Sequence, residues 1–339
     1  MRFGPVPLRD AVGGIVAHAV RREGLVLKKG DTITAAHISA LEAAGITELV
    51  VAQLDRGDVG EDEAAALLAQ NVVGAHVRVD PAFTGRANLF ATTSGILSFD
   101  ASAVDRLNDV DETITLATLP AFRAVVEGEM IATVKIIPFA VASERLQAAR
   151  EAARDLKLSI APFKPLRIGV VSTLLPGLKP TTITKTLRVL EERLAPAGAR
   201  ITQDLRVEHD EAKLAQAIAR VQPDSDIVIV FGASAITDRR DVIPSAVELA
   251  GGRIIHFGMP VDPGNLLLVG ALPGSVPVLG APGCARSPKE NGFDWILQRL
   301  LAGMEVTAQD IKRMGVGGLL MEIISRGQPR SGEPPHGDE

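Results

Sequence analysis

Asp226-Ile227-Val228-Ile229-Val230-Phe231-Gly232-Ala233-Ser234 is the stretch on which the fold turns. Five consecutive apolar residues, four of them β-branched, run into glycine and small side chains. That profile predicts a strand covered on both faces, of the kind found in a parallel sheet between helix layers. The neighbouring segments keep the same rhythm. Upstream, Arg167-Ile168-Gly169-Val170-Val171-Ser172 reads as a buried strand. Ile183, Leu187, Leu190 and Leu194 share one face of a helix predicted over Thr182 to Ala195. A strand over Ile201 to Val207 follows, then a helix capped by Asp210 that buries Leu214, Ile218 and Val221. Downstream come a helix from Val242 to Ala250, strands near 253–257, 266–269 and 276–279, and a helix from Lys289 to Leu301. Repeated crossovers of this length predict an α/β fold with a doubly wound, mostly parallel sheet.

The domain boundary is set by Ile160-Ala161-Pro162-Phe163-Lys164-Pro165, where two prolines oppose both helix and central strand. The expected organisation is a mixed α+β region over 1–161, the α/β domain over 162–325, and a Gly-, Pro- and charge-rich tail over 326–339 expected to be disordered. In the first region, helices are predicted over Ala35 to Ala44, Glu61 to Gln70 and Glu144 to Leu158. Strands are predicted over Leu89–Phe99, Glu112–Leu119 and Met130–Phe139, the last with Lys135 as the one charge in an apolar run.

The whole chain has 339 residues, 46% hydrophobic and 23% charged, the balance of a folded protein of about two domains. The 36 Lys and Arg against 41 Asp and Glu give a net charge of −5, which argues against a nucleic-acid or polybasic membrane face. A 3% aromatic content, with one Trp and no Tyr, argues against base stacking as well. One cysteine, Cys284, forms no intramolecular disulfide and points to a reducing compartment. No long apolar run or secretory signal is visible, so the expected localisation is cytoplasmic.

Ligands of such sheets bind beyond the carboxyl ends of the strands, so the loops there are where chemistry is sought. Ser172-Thr173 closes the first strand and leads through small residues to a helix start, a place for an anionic group. The plain alternative is a turn with Thr181 or Thr182 as helix cap. After the third strand, Gly232 and Ser234 begin a small-residue loop that continues through Thr237 and Asp238 to Asp241. Small side chains let backbone N–H groups approach a ligand. Asp241 is a candidate metal or catalytic carboxylate, its alternative role being a helix cap worth about 0.5–2 kcal/mol. The loop Gly280-Ala281-Pro282-Gly283-Cys284-Ala285-Arg286 supplies Pro282, Gly283 and Arg286. The six histidines show no zinc spacing, no phosphate-loop or dinucleotide fingerprint occurs, and Cys284 has no evident histidine partner.

The order of these loops resembles the molybdopterin-binding domain of molybdenum-cofactor biosynthesis proteins, which include molybdopterin adenylyltransferases, molybdopterin molybdotransferases and gephyrin. It rests on Ser172-Thr173, Gly232-Ala233-Ser234-Ala235, Thr237-Asp238-Arg239-Arg240-Asp241-Val242-Ile243-Pro244, Pro282-Gly283-Cys284 and Leu300-Leu301-Ala302-Gly303. Gly258-Met259-Pro260-Val261-Asp262-Pro263-Gly264-Asn265 resembles a molybdotransferase loop in which two lysines stand where Asp262 and Asn265 are here. More weakly, Leu27 to Gly45 resembles the molybdotransferase head. The resemblance implies a cytoplasmic protein that binds molybdopterin, or its nucleotide or molybdenum form, as a pterin small-molecule ligand. Ser172, Thr173, Gly232, Ser234, Thr237, Asp238 and Asp241 would line the site and Pro282, Gly283 and Arg286 close it. Asp241 would hold Mg²⁺ if nucleotidyl or molybdate transfer occurs. Relatives commonly form dimers or trimers, which implies a homo-oligomer. The departures favour pterin binding over transfer, since the lost lysines weaken an anion site and Ala233 and Ala235 disfavour positive φ. Two further readings stand: a non-catalytic carrier that serves a nucleotidyltransferase or molybdoenzyme, and an unrelated phosphate- or nucleotide-binding α/β protein.

Overall fold

The computed structural model describes residues 1–320 apart from Glu23 and Leu178. The tail expected over 326–339 lies outside the described residues. The chain divides into a unit Met1–Pro162 and a unit Phe163–Glu339.

In the first unit every named strand pair is antiparallel. A three-stranded sheet joins Arg2–Pro7, Glu48–Gln53 and Ile15–Val16, and a four-stranded sheet has Met130–Ile136 beside Arg86–Ala91. Helices Glu61–Val72, Ala101–Asn108 and Ser143–Ala152 bury Leu68, Leu107 and Leu146 in one core with Leu89 and Ile136. The strand expected over 89–99 is two strands, Arg86–Ala91 and Gly95–Ser98. Gly95 sits so close to the neighbouring strand that a Cβ there would lie 2.2 Å from the Ala161 carbonyl oxygen. The helix expected to reach Leu158 ends at Ala152, and Ser159–Pro162 pairs with Gly95–Ser98 instead. Lys135 is accounted for locally: its ammonium donates to the Thr84 carbonyl at 2.6 Å and lies 3.7 Å from Glu61.

The second unit is a six-stranded sheet. Its strands are β1 (Arg167–Leu174), β2 (Arg200–Glu208), β3 (Ile227–Phe231), β4 (Arg253–Phe257), β5 (Leu268–Ala271) and β6 (Pro277–Ala281), in the order β2-β1-β3-β6-β5-β4. The helices are α1 (Pro180–Leu194), α2 (Glu211–Val221), α3 (Val242–Leu249), α4 (Gly292–Leu301) and α5 (Ala308–Lys312). One core packs Leu190 and Leu194 of α1 and Ile296 and Leu297 of α4 against Ile168, Val170, Ile229 and Phe231. A second packs Leu214 and Ile218 of α2 and Ala246 and Val247 of α3 against Val171, Val228 and Val230. Alternate residues of β1 and β3 thus feed two cores, which is why Ile227–Phe231 is apolar at every position.

The β2–β1, β1–β3 and β3–β6 pairs are parallel, whereas β5 is antiparallel to both β6 and β4. The expectation of repeated crossovers fails at this edge. The turn between β5 and β6 is only residues 272–276, and a parallel connection needs a dozen or more residues. Among the described residues no helix is long and apolar enough to cross a membrane.

Candidate functional site

β1, β3 and β6 lie side by side and run in one direction, with Ser172 in register with Phe231 and Phe231 in register with Ala281. Their following loops, 175–179, 232–241 and 282–291, therefore leave the same edge of the sheet. Direct bonds join the three. The Ala233 N–H donates to Thr173 Oγ1 at 2.8 Å, and the Arg286 guanidinium donates to the Gly232 carbonyl at 2.8 Å. Arg286 also reaches Thr186 Oγ1 of α1 at 3.0 Å and lies over the Phe231 ring, 5.7 Å from its centroid.

Gly232 is required by space. A Cβ there would lie 2.7 Å from the Ser234 carbonyl oxygen and 2.8 Å from Ile243 Cδ1. The loop then runs through Ser234 and Ala235, both exposed. Ala233 and Ala235 are not among the residues at positive φ, so the strain expected at these two alanines does not arise. Among the described residues, the amides of Ser234, Ala235 and Ile236 donate to no protein acceptor, in contrast to those of Ala233 and Thr237. Successive amides without a protein acceptor are donors that an anion could use.

Charge at this edge is uneven. Arg286 is largely buried, burial pushes its guanidinium below the usual arginine value, and no carboxylate pairs with it among the described residues. The carboxylates of the loop are otherwise engaged. Asp241 caps α3, its Oδ1 accepting from the Val242 N–H at 2.8 Å and its Oδ2 from the Thr237 N–H at 3.2 Å. Asp238 accepts from the backbone and guanidinium of Arg240, whose hydrogen bonds hold its carboxyl at about 2. No group of three or more His, Cys, Asp or Glu side chains is placed to share a metal ion among the described residues. Asp241 thus caps α3 through Oδ1 and holds the Thr237 amide through Oδ2, each oxygen keeping a further lone pair.

The remaining expected residues are placed as follows. Ser172 and Thr173 are 2% and 1% exposed, beneath the loops rather than on their surface. Ser172 Oγ is buried without a hydrogen-bond partner among the described residues, while Thr173 Oγ1 also meets His209 Nδ1 at 2.9 Å. Ser234 and Thr237 are exposed, Pro282 is buried, and Gly283 is exposed with open space around its Cα. Neither Thr181 nor Thr182 caps α1, whose first turn opens on Pro180 after Lys179. Asp262 and Asn265 are tied into backbone pairing, Asp262 with Gly318 and Leu320, and Asn265 with Met259.

Sequence reasoning missed His209, Thr186 and Arg193. Thr186 is a hydroxyl on the apolar face of α1, a readable signal, since a buried hydroxyl there needs a partner. Arg193 holds the 285–289 segment by donating to the carbonyls of Ala285 and Ser287 at 2.8 and 2.7 Å. No local pattern announces it. A cavity of about 570 Å³ opens at the other edge of this sheet, among Leu166, Asp226, Arg253, Pro277 and Gly303. It lies at the amino ends of β1, β3 and β6, away from the free amides and Arg286.

A family model described as a probable molybdopterin binding domain matches residues 171–303, and a domain of unknown function matches residues 5–53. No curated protein matches the chain. Among solved structures, a molybdopterin biosynthesis moeA protein from Pyrococcus horikosii is 14% identical with a TM-score of 0.31, over 89% of this chain and 75% of that one. A molybdenum cofactor biosynthesis protein from Pyrococcus furiosus is 12% identical with a TM-score of 0.25, over 89% of this chain and 64% of that one. Likeness at this level carries no inference about chemistry.

Proposed function

We propose that this chain, whose residues 171–303 match a probable molybdopterin binding domain, binds molybdopterin or a derivative of it at the shared ends of β1, β3 and β6. The observation that carries the reading is Arg286, without a carboxylate partner among the described residues, holding the Gly232 carbonyl at the start of the loop in which the amides of Ser234, Ala235 and Ile236 find no protein acceptor. A largely buried guanidinium without a carboxylate calls for an anion, and amides that donate to nothing supply its oxygens with directed hydrogen bonds. The phosphate of a pterin fits both. Gly283, where a Cβ would meet nothing within 4 Å, leaves open space in the loop after β6.

Titration with molybdopterin tests this. Wild-type protein is expected to bind at micromolar ligand, and Arg286→Ala to bind about tenfold or more weakly, since hydrogen bonds to charged groups are each worth about 1.5–3 kcal/mol. Wild-type protein that does not bind at these concentrations would refute the pterin reading.

Within this function, the carrier reading gains support over nucleotidyl or molybdate transfer. Its support is in the sequence: Asp262 and Asn265 stand where the resemblance places two lysines, which weakens a site for transferred anionic groups. Were Mg²⁺ to bind, Asp241 would be a carboxylate of this loop able to hold it, since each of its oxygens keeps a lone pair beyond the one hydrogen bond it accepts. An assay with ATP, CTP, molybdate and molybdopterin separates the two: product formed at enzymatic rates would overturn the carrier reading and leave the binding site standing.

A further inference from the structure

Thr173 Oγ1 sits where three strand ends meet. β2, β1 and β3 are neighbours in that order, and the two groups that reach Oγ1 come from just beyond the outer strands. His209, the residue after β2, presents Nδ1 at 2.9 Å, and Ala233, in the loop after β3, presents its N–H at 2.8 Å. Thr173 is only 1% exposed, so its hydroxyl has to be satisfied by the protein.

The bond count fixes who donates. A hydroxyl has one hydrogen and two lone pairs. The Ala233 N–H fills one lone pair. Were Nδ1 to donate as well, the second lone pair would be filled and the buried hydrogen would be left without an acceptor among the described residues. With Nδ1 as acceptor, that hydrogen is used and one lone pair stays on Ala233.

We infer that His209 is a positioning residue for the proposed anion site: as its Nε2–H tautomer it accepts the Thr173 hydroxyl hydrogen on Nδ1, aims a Thr173 lone pair at the Ala233 N–H, and so fixes the loop that carries the free amides of Ser234, Ala235 and Ile236. The role in ligand binding rests on the pterin-site reading. The hydrogen-bond chain is a property of the free protein and stands or falls by itself.

Nitrogen NMR of the full chain without ligand is the first arm. His209 is expected as the Nε2–H tautomer, Thr173→Val is expected to shift its Nδ1 resonance, and His209→Ala to shift the amides of 233–236. His209→Asn, whose Oδ1 replaces Nδ1 as acceptor, is expected to restore those amides. The second arm is titration with molybdopterin. His209→Ala and Thr173→Val are expected to weaken binding about three- to tenfold, the scale of one lost hydrogen bond, and His209→Asn to stay within about twofold of wild type. An Nδ1–H tautomer, or amides of 233–236 that do not move in His209→Ala, would overturn the inference. Should His209→Ala not fold, Thr173→Val and His209→Asn decide the same question. If wild-type protein does not bind molybdopterin, the pterin reading falls while the ligand-free spectra still decide the role of His209.

Discussion

Arg193 near the end of α1 and Asp294 in the first turn of α4 form an ion pair across 101 residues of chain, each side chain only 10% exposed. The Arg193 guanidinium also holds the carbonyls of Ala285, Ser287 and Lys289, and Asp294 Oδ2 accepts the Asn291 N–H at 2.8 Å. The pair therefore clamps the whole 285–294 segment onto α1, on either side of Arg286. Arg193 and Arg286 differ in their partners: the first meets a carboxylate and three carbonyls, whereas the second meets the Thr186 hydroxyl and the Gly232 carbonyl and no carboxylate among the described residues.

Removing Arg193 should be costly. Arg193→Ala leaves the buried Asp294 carboxylate without its charge partner and the carbonyls of Ala285 and Ser287 without their side-chain donor, and truncating one partner of a buried pair costs about 3–5 kcal/mol. The double variant Arg193→Met with Asp294→Leu removes the unpaired charge and is expected to lose less than Arg193→Ala alone. Urea unfolding of the three proteins checks this. A single variant as stable as wild type would contradict the clamp.

Asp241 separates capping from ligand chemistry. Asp241→Ala is expected to destabilise the chain by about 0.5–2 kcal/mol, the ordinary value of an N-cap. Asp241→Asn keeps an acceptor for the Val242 N–H and is expected to lose little stability, as the two residue types cap about equally well. If Asp241 only shapes the loop, Asp241→Asn also retains molybdopterin affinity. A large loss of affinity at unchanged stability would instead give the carboxylate a direct part in ligand or metal binding.

Much of this edge was readable in the sequence, and what was not has a common cause. The continuous run Ile227–Phe231 gave away its burial on two faces, and Asp210 is the helix cap its position predicted, accepting the Lys213 N–H at 2.9 Å. Such signals are local. His209 was passed over because a single histidine after a strand carries no pattern. It gains its meaning from the β1–β2 register, which pairs Thr173 with Val207 and Leu174 with Glu208 and so brings the next residue to Thr173. Arg193 sits among Glu191 and Glu192 and looks like a solvated helix end, its partner being far along the chain. The small residues of 232–235 did point to backbone amides open to a ligand, but such residues suit a plain turn equally, so which amides lack an acceptor is not legible in them.

Two glycines at this edge should respond in opposite ways. Gly232→Ala drives a Cβ into the Ser234 carbonyl and Ile243, so a backbone group must shift, and overpacking of this kind costs about 1–3 kcal/mol. Gly283→Ala meets nothing within 4 Å and Gly283 is not at positive φ, so stability is expected to stay within about 0.5 kcal/mol of wild type. Its methyl group would nevertheless take up space that the ligand is proposed to use. Thermal unfolding together with molybdopterin titration reads both variants. Full affinity in Gly283→Ala would move the ligand away from the 282–286 loop.

Arg167 and Asp226 tie the starts of β1 and β3 together and give the chain an acid-sensitive contact. Asp226 accepts from the Arg167 guanidinium at 3.0 Å and from its backbone N–H at 2.8 Å, and the guanidinium hydrogen bond is the main reason that its carboxyl lies below the ordinary value. A carboxylate depressed in the folded state contributes stability that is complete above the unfolded value, about 3.9 for Asp, and is lost as pH falls through the lower folded value. Both side chains are partly exposed, 46% for Arg167 and 34% for Asp226, so solvent screens the pair and its contribution is modest. Asp226→Asn should therefore change little at neutral pH beyond the lost ion pair, and should flatten the decline in stability below about pH 4. Urea midpoints taken from pH 7 downward check the sign. Parallel acid limbs for wild type and Asp226→Asn would mean that the proton uptake behind acid unfolding occurs at other carboxylates.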